Sequence, residues 1–388
     1  MKKNNFLNAS PITIAVIINK DGNQLGASET FLHAHINGLP CNVLTLIGNP
    51  GYRYSDLEKG FVPSRKIIFL ALRWVARRFG FSNVAKQDRR AVRKFLRRNR
   101  ISAVLAEYGP TAVSVMNACH DENVPLIAQF HGYDAYREQL LKEISTGYKQ
   151  LFQLASAVVA VSQHMRNQLL ELGANPENTF HNACGADLPI KLRANPAKAE
   201  KRFLMVGRLV EKKAPFLSLM AFSKVASQHP DAILDVIGDG PLKQSCEQLC
   251  RSLGVSQQVI FHGALPHADV LKKMADARCF IQHSVRAPDG DNEGTPVGVL
   301  EAMGMGLPVV STRHGGIMDI IENGNTGMLV DEYDVDGMAT AMNKFAADGV
   351  LANQIGENAR AGVLENWTNE KSIERLWGII EQVIGGNK

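Results

Sequence analysis

Asp291-Asn-Glu293-Gly294-Thr295-Pro296-Val297-Gly-Val-Leu-Glu301-Ala-Met-Gly-Met-Gly-Leu-Pro308 is the stretch whose reading decides the fold. It lies between two short apolar runs, 278–282 and 308–312, each with the length and residue types of a buried strand. Thr295 reads as an N-cap and Pro296 as a first helical residue, so the spacing predicts a helix opening at 295–296. A strand, a helix and a second strand in that order make a parallel unit with a crossover helix. The free N–H groups at such a helix start, with the positive end of its dipole, form an anion site suited to a diphosphate. Glu293 stands just before the helix and Glu301 in its second turn, with seven residues between them. Two carboxylates in those places can accept hydrogen bonds from hydroxyls on either side of a phosphate, as a ribose and a sugar require. The competing reading, a surface helix with a capped start and one exposed glutamate, has to be judged on the rest of the chain.

Outward from this segment the same alternation continues. Strand candidates fall at 11–19, 41–47, 102–107, 124–129 and 156–161, and again at 203–207, 232–237, 258–262 and 327–330, with amphipathic stretches between them. The pattern predicts an α/β chain of two Rossmann-like, doubly wound parallel-sheet domains whose strand ends line one shared cleft. Residues 1–188 form the first domain and 202–365 the second. The stretch 189–201, with two prolines and several charges, is the linker. Residues 366–388 read as a last helix lying across both domains.

At 388 residues the chain suits two ordinary domains, and 21% charged with 45% apolar residues is normal for a globular protein. No run reaches the eighteen or more apolar residues of a membrane-spanning helix, and the expectation is a cytoplasmic protein. The six cysteines, at 41, 119, 184, 246, 250 and 279, contain no Cys-x-x-Cys pair, so buried thiols in a reducing compartment are expected. The net charge of +5 is uneven, with +8 in residues 1–190 and −3 in the remainder.

The segment from Glu293 to Glu301 resembles the Glu-x7-Glu motif of glycosyltransferase family 4. The similarity extends forward through Leu307-Pro308 to Thr312, Gly315-Gly316 and Gly327 to Val330. It extends backward through Val206-Gly207-Arg208, Lys212-Lys213, Gly238-Asp-Gly240 and Phe261-His-Gly263. The resemblance implies a retaining glycosyltransferase of the GT-B fold, of the envelope or exopolysaccharide type. It also implies a nucleotide diphosphate sugar as donor, most commonly of uridine with guanosine next, and a saccharide or lipid-linked saccharide as acceptor. By the same resemblance Glu293 holds the transferred sugar, Glu301 the ribose, and Arg208 and Lys213 the departing diphosphate. Gly238, Gly240, Gly294, Thr295, Pro296 and Val297 line the donor site. Lys212 is expected as a solvated surface lysine. Ala214 replaces a glycine usual in the family, which leaves open which lysine reaches the phosphates.

In the first domain, Gly26 opens a small-residue turn after the first strand, where backbone can approach the donor. His131, at the end of strand 124–129, is the candidate to contact the donor at the reacting centre. Gly185 and Asp187 read as structural. Asp289-Gly-Asp291 spells the metal motif of the other large glycosyltransferase fold. With Arg208, Lys213 and a helix start supplying positive charge, neither a metal nor another cofactor is expected.

Residues 65–100 carry 13 basic side chains against the single acid Asp88, interleaved with aromatic and aliphatic residues. A face with so few acids predicts peripheral docking on an anionic membrane. The alternative is that Leu72, Val75, Val92, Phe95 and Leu96 are core faces of two helices. No nucleic-acid module is present. A sugar-phosphate synthase or epimerase, or a nucleotide-sugar-binding scaffold without activity, are the rival functions.

Overall fold

The computed structural model describes residues 12–18, 30–47, 53–55, 83–188 and 192–386, the side chains of 53–55 and 83–88 excepted. The first sheet contains β1 (Thr13–Ile18), β2 (Asn42–Ile47), β3 (Arg53–Ser55), β4 (Ala103–Glu107), β5 (Leu126–Phe130), β6 (Ala157–Ala160) and β7 (Thr179–His181). The second contains β8 (Arg202–Val206), β9 (Ile233–Ile237), β10 (Val259–Gly263), β11 (Cys279–Gln282), β12 (Val309–Thr312) and β13 (Met328–Val330). Their orders are β3-β2-β1-β4-β5-β6-β7 and β10-β9-β8-β11-β12-β13. Every pairing is parallel except the antiparallel edge strand β3. β1 is buried at all six positions and apolar from Ile14 onward, because helices cover both faces. β3 and β7, three residues each, were not expected from the sequence, being too short to show a period.

The first domain carries α1 (Thr30–Gly38), α2 (Asn83–Arg98), α3 (Gly109–Asp121), α4 (Tyr133–Tyr136), α5 (Glu138–Leu154) and α6 (Gln163–Glu171). The second carries α7 (Pro215–Gln228), α8 (Lys243–Ser252), α9 (His267–Asp276), α10 (Val297–Gly304), α11 (Ile317–Ile320), α12 (Val335–Ala347) and α13 (Gly349–Asn366). Strand order reverses between β1 and β4 and between β8 and β11. Ligands in such sheets collect at the carboxyl ends beside these reversals, which are Glu107 in one domain and Val206 and Gln282 in the other.

The chain end returns to the first domain. Trp367 and Thr368 run beside Ala186, whose N–H donates to Trp367 O at 2.9 Å and whose carbonyl accepts from Asn369 N at 3.0 Å. α14 (Asn369–Gly385) then buries Ile373, Leu376 and Ile380 with Ile14, Val16 and Leu32 of the first domain. The last helix therefore caps the first core, while α13, just before it, belongs to the second. Gly185 makes the crossing possible, since a side chain there would overlap Thr368.

The basic stretch is less uniform in space than in sequence. Val92 and Leu96 of α2 are buried in the first core. Arg89 pairs with Asp121 through Nε at 2.7 Å, and Arg93 and Arg97 pair with Glu122 at 2.5 and 2.8 Å. Acids distant in sequence thus offset part of the charge; residues 65–82 lie outside the described residues. Cys246 and Cys250 are buried on α8, and burial pushes both thiols up to about 11.

Gly238 follows β9 at φ 131°, where a Cβ would overlap the Gly207 carbonyl oxygen, so the loops after β8 and β9 can touch only at a glycine. Gly254, at φ 74°, has open space around it. Gly254→Ala therefore costs only left-handed backbone strain, about 1 kcal/mol. Gly238→Ala adds a backbone overlap and costs about 3 kcal/mol or more. Urea unfolding of both variants measures this, and equal losses would contradict the packing described.

Candidate active site

The loop 291–295 projects from the second domain into the first. Glu293 is 6% exposed, and its Oε2 lies 2.8 Å from Lys213 Nζ. Burial would raise the Glu293 pKa, but the Lys213 and Lys212 charges outweigh it and hold the carboxyl at about 2. Burial, helped by repulsion from Lys212 and Arg208 and opposed by Glu293, lowers the Lys213 pKa. Lys213 also donates to Gln282 Oε1, at the end of β11, at 3.2 Å. The lysines sit on a single 3-10 turn, Glu211–Lys213, that closes on Ala214 in the left-handed conformation at φ 35°. That geometry explains why glycine suits this position.

Lys212 is not the solvated lysine expected. Its side chain is 11% exposed and donates to Asp291 Oδ1 at 3.2 Å and to the Asn292 carbonyl at 3.1 Å. Asp291 also meets Arg137 of the first domain at 3.4 Å, and Asp289 meets the same guanidinium at 3.1 Å. Both aspartates of the Asp-x-Asp are thus ion-paired.

Thr295 does not cap the helix. Its hydroxyl donates to Val161 O at 2.6 Å and accepts from Cys184 N at 3.1 Å, both in the first domain. The cap position passes to Pro296, α10 begins at Val297, and no side chain among the described residues caps it. The helix start keeps the unsatisfied donors of an anion site, with Val297 and Gly298 partly exposed. Glu301 is 7% exposed one turn on, and its Oε1 is 2.9 Å from His267 Nε2 at the start of α9. The Glu301 hydrogen bond raises the His267 pKa. Arg208 is exposed in the loop after β8. Gly240, like Gly238, allows close packing of these loops, here against Leu209. Gly26 lies outside the described residues.

His131 faces this loop from the first domain, and a Cβ on Gly294 would overlap its carbonyl oxygen. Asp134, fully buried, fixes the turn by accepting from His131 N and Gly109 N, each at 3.0 Å, and from Gly132 N at 2.9 Å. The imidazole stacks on Phe31 at 4.2 Å between ring centres and lies 4.8 Å from Tyr108, a residue held at φ 73°. His131 Nε2 is 2.7 Å from Glu107 Oε2, and Glu107 Oε1 is 2.7 Å from His35 Nδ1. Behind Glu293, His314 Nε2 accepts the Glu293 N–H at 3.2 Å while its Nδ1 lies 2.6 Å from Glu332.

The structure therefore brings His131, Lys213, Glu293, Gly294, Thr295, Pro296 and Val297 together where the two domains meet, with Glu301 farther along α10. Glu107, His35, Gln282, His267 and His314 were not singled out in the sequence. An acid ending an otherwise apolar strand, as Glu107 ends β4, was a readable signal. The partners His267 and His314 had no local one.

The family model described as Glycosyl transferases group 1 matches residues 190–362, and that described as Glycosyltransferase Family 4 matches residues 50–188. A putative colanic acid biosynthesis glycosyltransferase of Salmonella typhimurium, WcaL, is 28% identical over 262 residues, covering 66% of this chain and 63% of that protein. The amylovoran biosynthesis glycosyltransferase AmsK of Erwinia amylovora is 28% identical over 260 residues, covering 66% and 64%. The matches thus span somewhat less than two thirds of these relatives' lengths. The crystal structure of Anabaena HepE in complex with UDP superposes with a TM-score of 0.72 at 18% identity, over 95% of this chain and 99% of that one. The two-domain architecture is the GT-B fold, and with the two models together matching residues 50–188 and 190–362 the chain belongs to glycosyltransferase family 4.

Proposed function

We propose that this protein is a retaining glycosyltransferase that moves a sugar from a uridine diphosphate sugar to a saccharide or lipid-linked acceptor in polysaccharide or glycolipid synthesis. The observation that carries the reading is the buried Lys213–Glu293 pair beside the uncapped start of α10, with Glu301 one turn along. Glu301 would hold the ribose, Glu293 the transferred sugar, and Arg208, Lys213 and the helix N–H groups the diphosphate. A departing nucleotide diphosphate gains charge, and fixed cations and dipoles stabilise it without reorganising. Similarity to WcaL and AmsK supports the polysaccharide class, and similarity to HepE, solved with UDP, supports the nucleotide. Glu293 is tied to Lys213, which favours front-face displacement assisted by the leaving phosphate over a carboxylate nucleophile. With Asp289 and Asp291 engaged by Arg137 and Lys212, the diphosphate is left to cationic side chains rather than to a metal.

We also propose that the protein works at the cytoplasmic face of a membrane. No helix among the described residues is long and apolar enough to cross one. Arg90, Lys94, Arg98 and Arg100 remain exposed on and after α2, and each basic residue near an anionic leaflet contributes about 1 kcal/mol.

Nucleotide release from sugar nucleotides, with and without a saccharide acceptor, separates transfer from sugar-phosphate synthesis, epimerisation and inert binding. Glu301→Ala should weaken UDP and UDP-sugar alike by about tenfold or more, whereas Glu293→Gln should leave UDP affinity within about threefold and cut turnover about a hundredfold. Equal loss of UDP affinity in both contradicts the assignment. For the membrane, the protein should float with anionic but not neutral vesicles at low salt, and Arg90→Glu, Lys94→Glu and Arg98→Glu together should abolish flotation. Equal flotation of the wild type with both vesicle types overturns docking by charge.

A further inference from the structure

Glu107 sits at the carboxyl end of β4, beside the order reversal of the first sheet, with no exposed surface. Its two oxygens are each 2.7 Å from an imidazole nitrogen, Oε1 from His35 Nδ1 and Oε2 from His131 Nε2. Burial pushes the Glu107 carboxyl up, but the attraction of His35 and the hydrogen bonds from both histidines outweigh it and hold the carboxyl below the ordinary carboxylate range. An ionised carboxylate only accepts hydrogen bonds. Both ring nitrogens facing it must therefore carry hydrogen, which places a proton on His131 Nε2.

The other nitrogen of that ring, Nδ1, is buried and has no hydrogen-bond partner among the described residues. A buried N–H⁺ without an acceptor costs more than a bare lone pair. The ring cannot turn over to exchange its nitrogens easily, because Phe31 stacks on one side at 4.2 Å and Tyr108 lies at 4.8 Å. We propose that Glu107 is a positioning residue that locks His131 in the neutral Nε2–H tautomer, so that Nδ1 meets the substrate as a hydrogen-bond acceptor. Resting on the transferase reading, this means that His131 receives a sugar hydroxyl proton in a hydrogen bond and does not donate one. The site then prefers substrates with a hydroxyl at that point over those with an ether or carbonyl oxygen. His35 holds the second carboxylate oxygen and so keeps Oε2 directed at His131.

The tautomer is read directly from the ring nitrogen shifts of protein labelled with nitrogen-15 histidine, with His131→Gln assigning the signal. At pH 8 the wild type should show a protonated Nε2 and an unprotonated Nδ1. Glu107→Gln, whose amide can donate to Nε2, should populate the Nδ1–H form and lower kcat by about 10- to 100-fold, with donor KM changed far less. A protonated Nδ1 in the wild type overturns the proposal. So does a Glu107→Gln protein that changes tautomer without losing kcat, or keeps both tautomer and kcat. The wild-type spectrum decides the tautomer even if Glu107→Gln fails to fold. If no sugar nucleotide is turned over by the wild type, the transferase reading fails while the spectrum still tests the lock.

Discussion

The cleft depends on one close approach between backbones. Gly294 lies between the carbonyl of His131 in the first domain and Gly316 of its own domain, with no room for a Cβ on either glycine. Because Gly294 has no side chain, the loop 291–295 can reach the opposite strand ends. Thr295 then bonds to Val161 and Cys184, and Asp291 to Arg137. These contacts together bring Glu293 of the second domain toward His131 of the first.

Charge is distributed by the same geometry. Burying a carboxylate costs several kcal/mol unless a partner is in place, and the buried acids here have partners. Glu293 is paired with Lys213, Asp291 with Lys212 and Arg137, and Glu107 with two histidines. Glu301 shares a hydrogen bond with His267. Among the described residues, Arg208 is exposed and the start of α10 carries no side-chain cap, which is where the proposed function would put the diphosphate. A site that pairs its own acids and leaves donors at a helix start is set up for an anionic ligand.

Most of the fold was legible because buried parallel strands are short, apolar and bounded by turns. All eleven strands expected from the sequence are present, within two residues at each end. The Glu293 to Glu301 segment could be read as a candidate site because two acids beside a helix start have few structural uses. Thr295 was misread as a cap because its competing partners, Val161 and Cys184, come from the other domain, which no local pattern encodes. Lys212 was misjudged for the same reason, since Asp291 lies far away in sequence. The basic stretch looked unopposed until folding brought Asp121 and Glu122 against Arg89, Arg93 and Arg97. Tertiary pairing of charges is invisible to sequence separation, and there the sequence reading stopped.

The claim at the centre is that chemistry requires the Glu293 loop seated against His131, while nucleotide binding belongs to the second domain alone. Gly294→Ala tests both halves at once through UDP affinity and nucleotide release from a UDP-sugar. The account predicts UDP affinity within about threefold of wild type and turnover reduced about a hundredfold or more, because a misplacement of about 1 Å suffices for such a loss. Turnover close to wild type in a folded Gly294→Ala protein would contradict it.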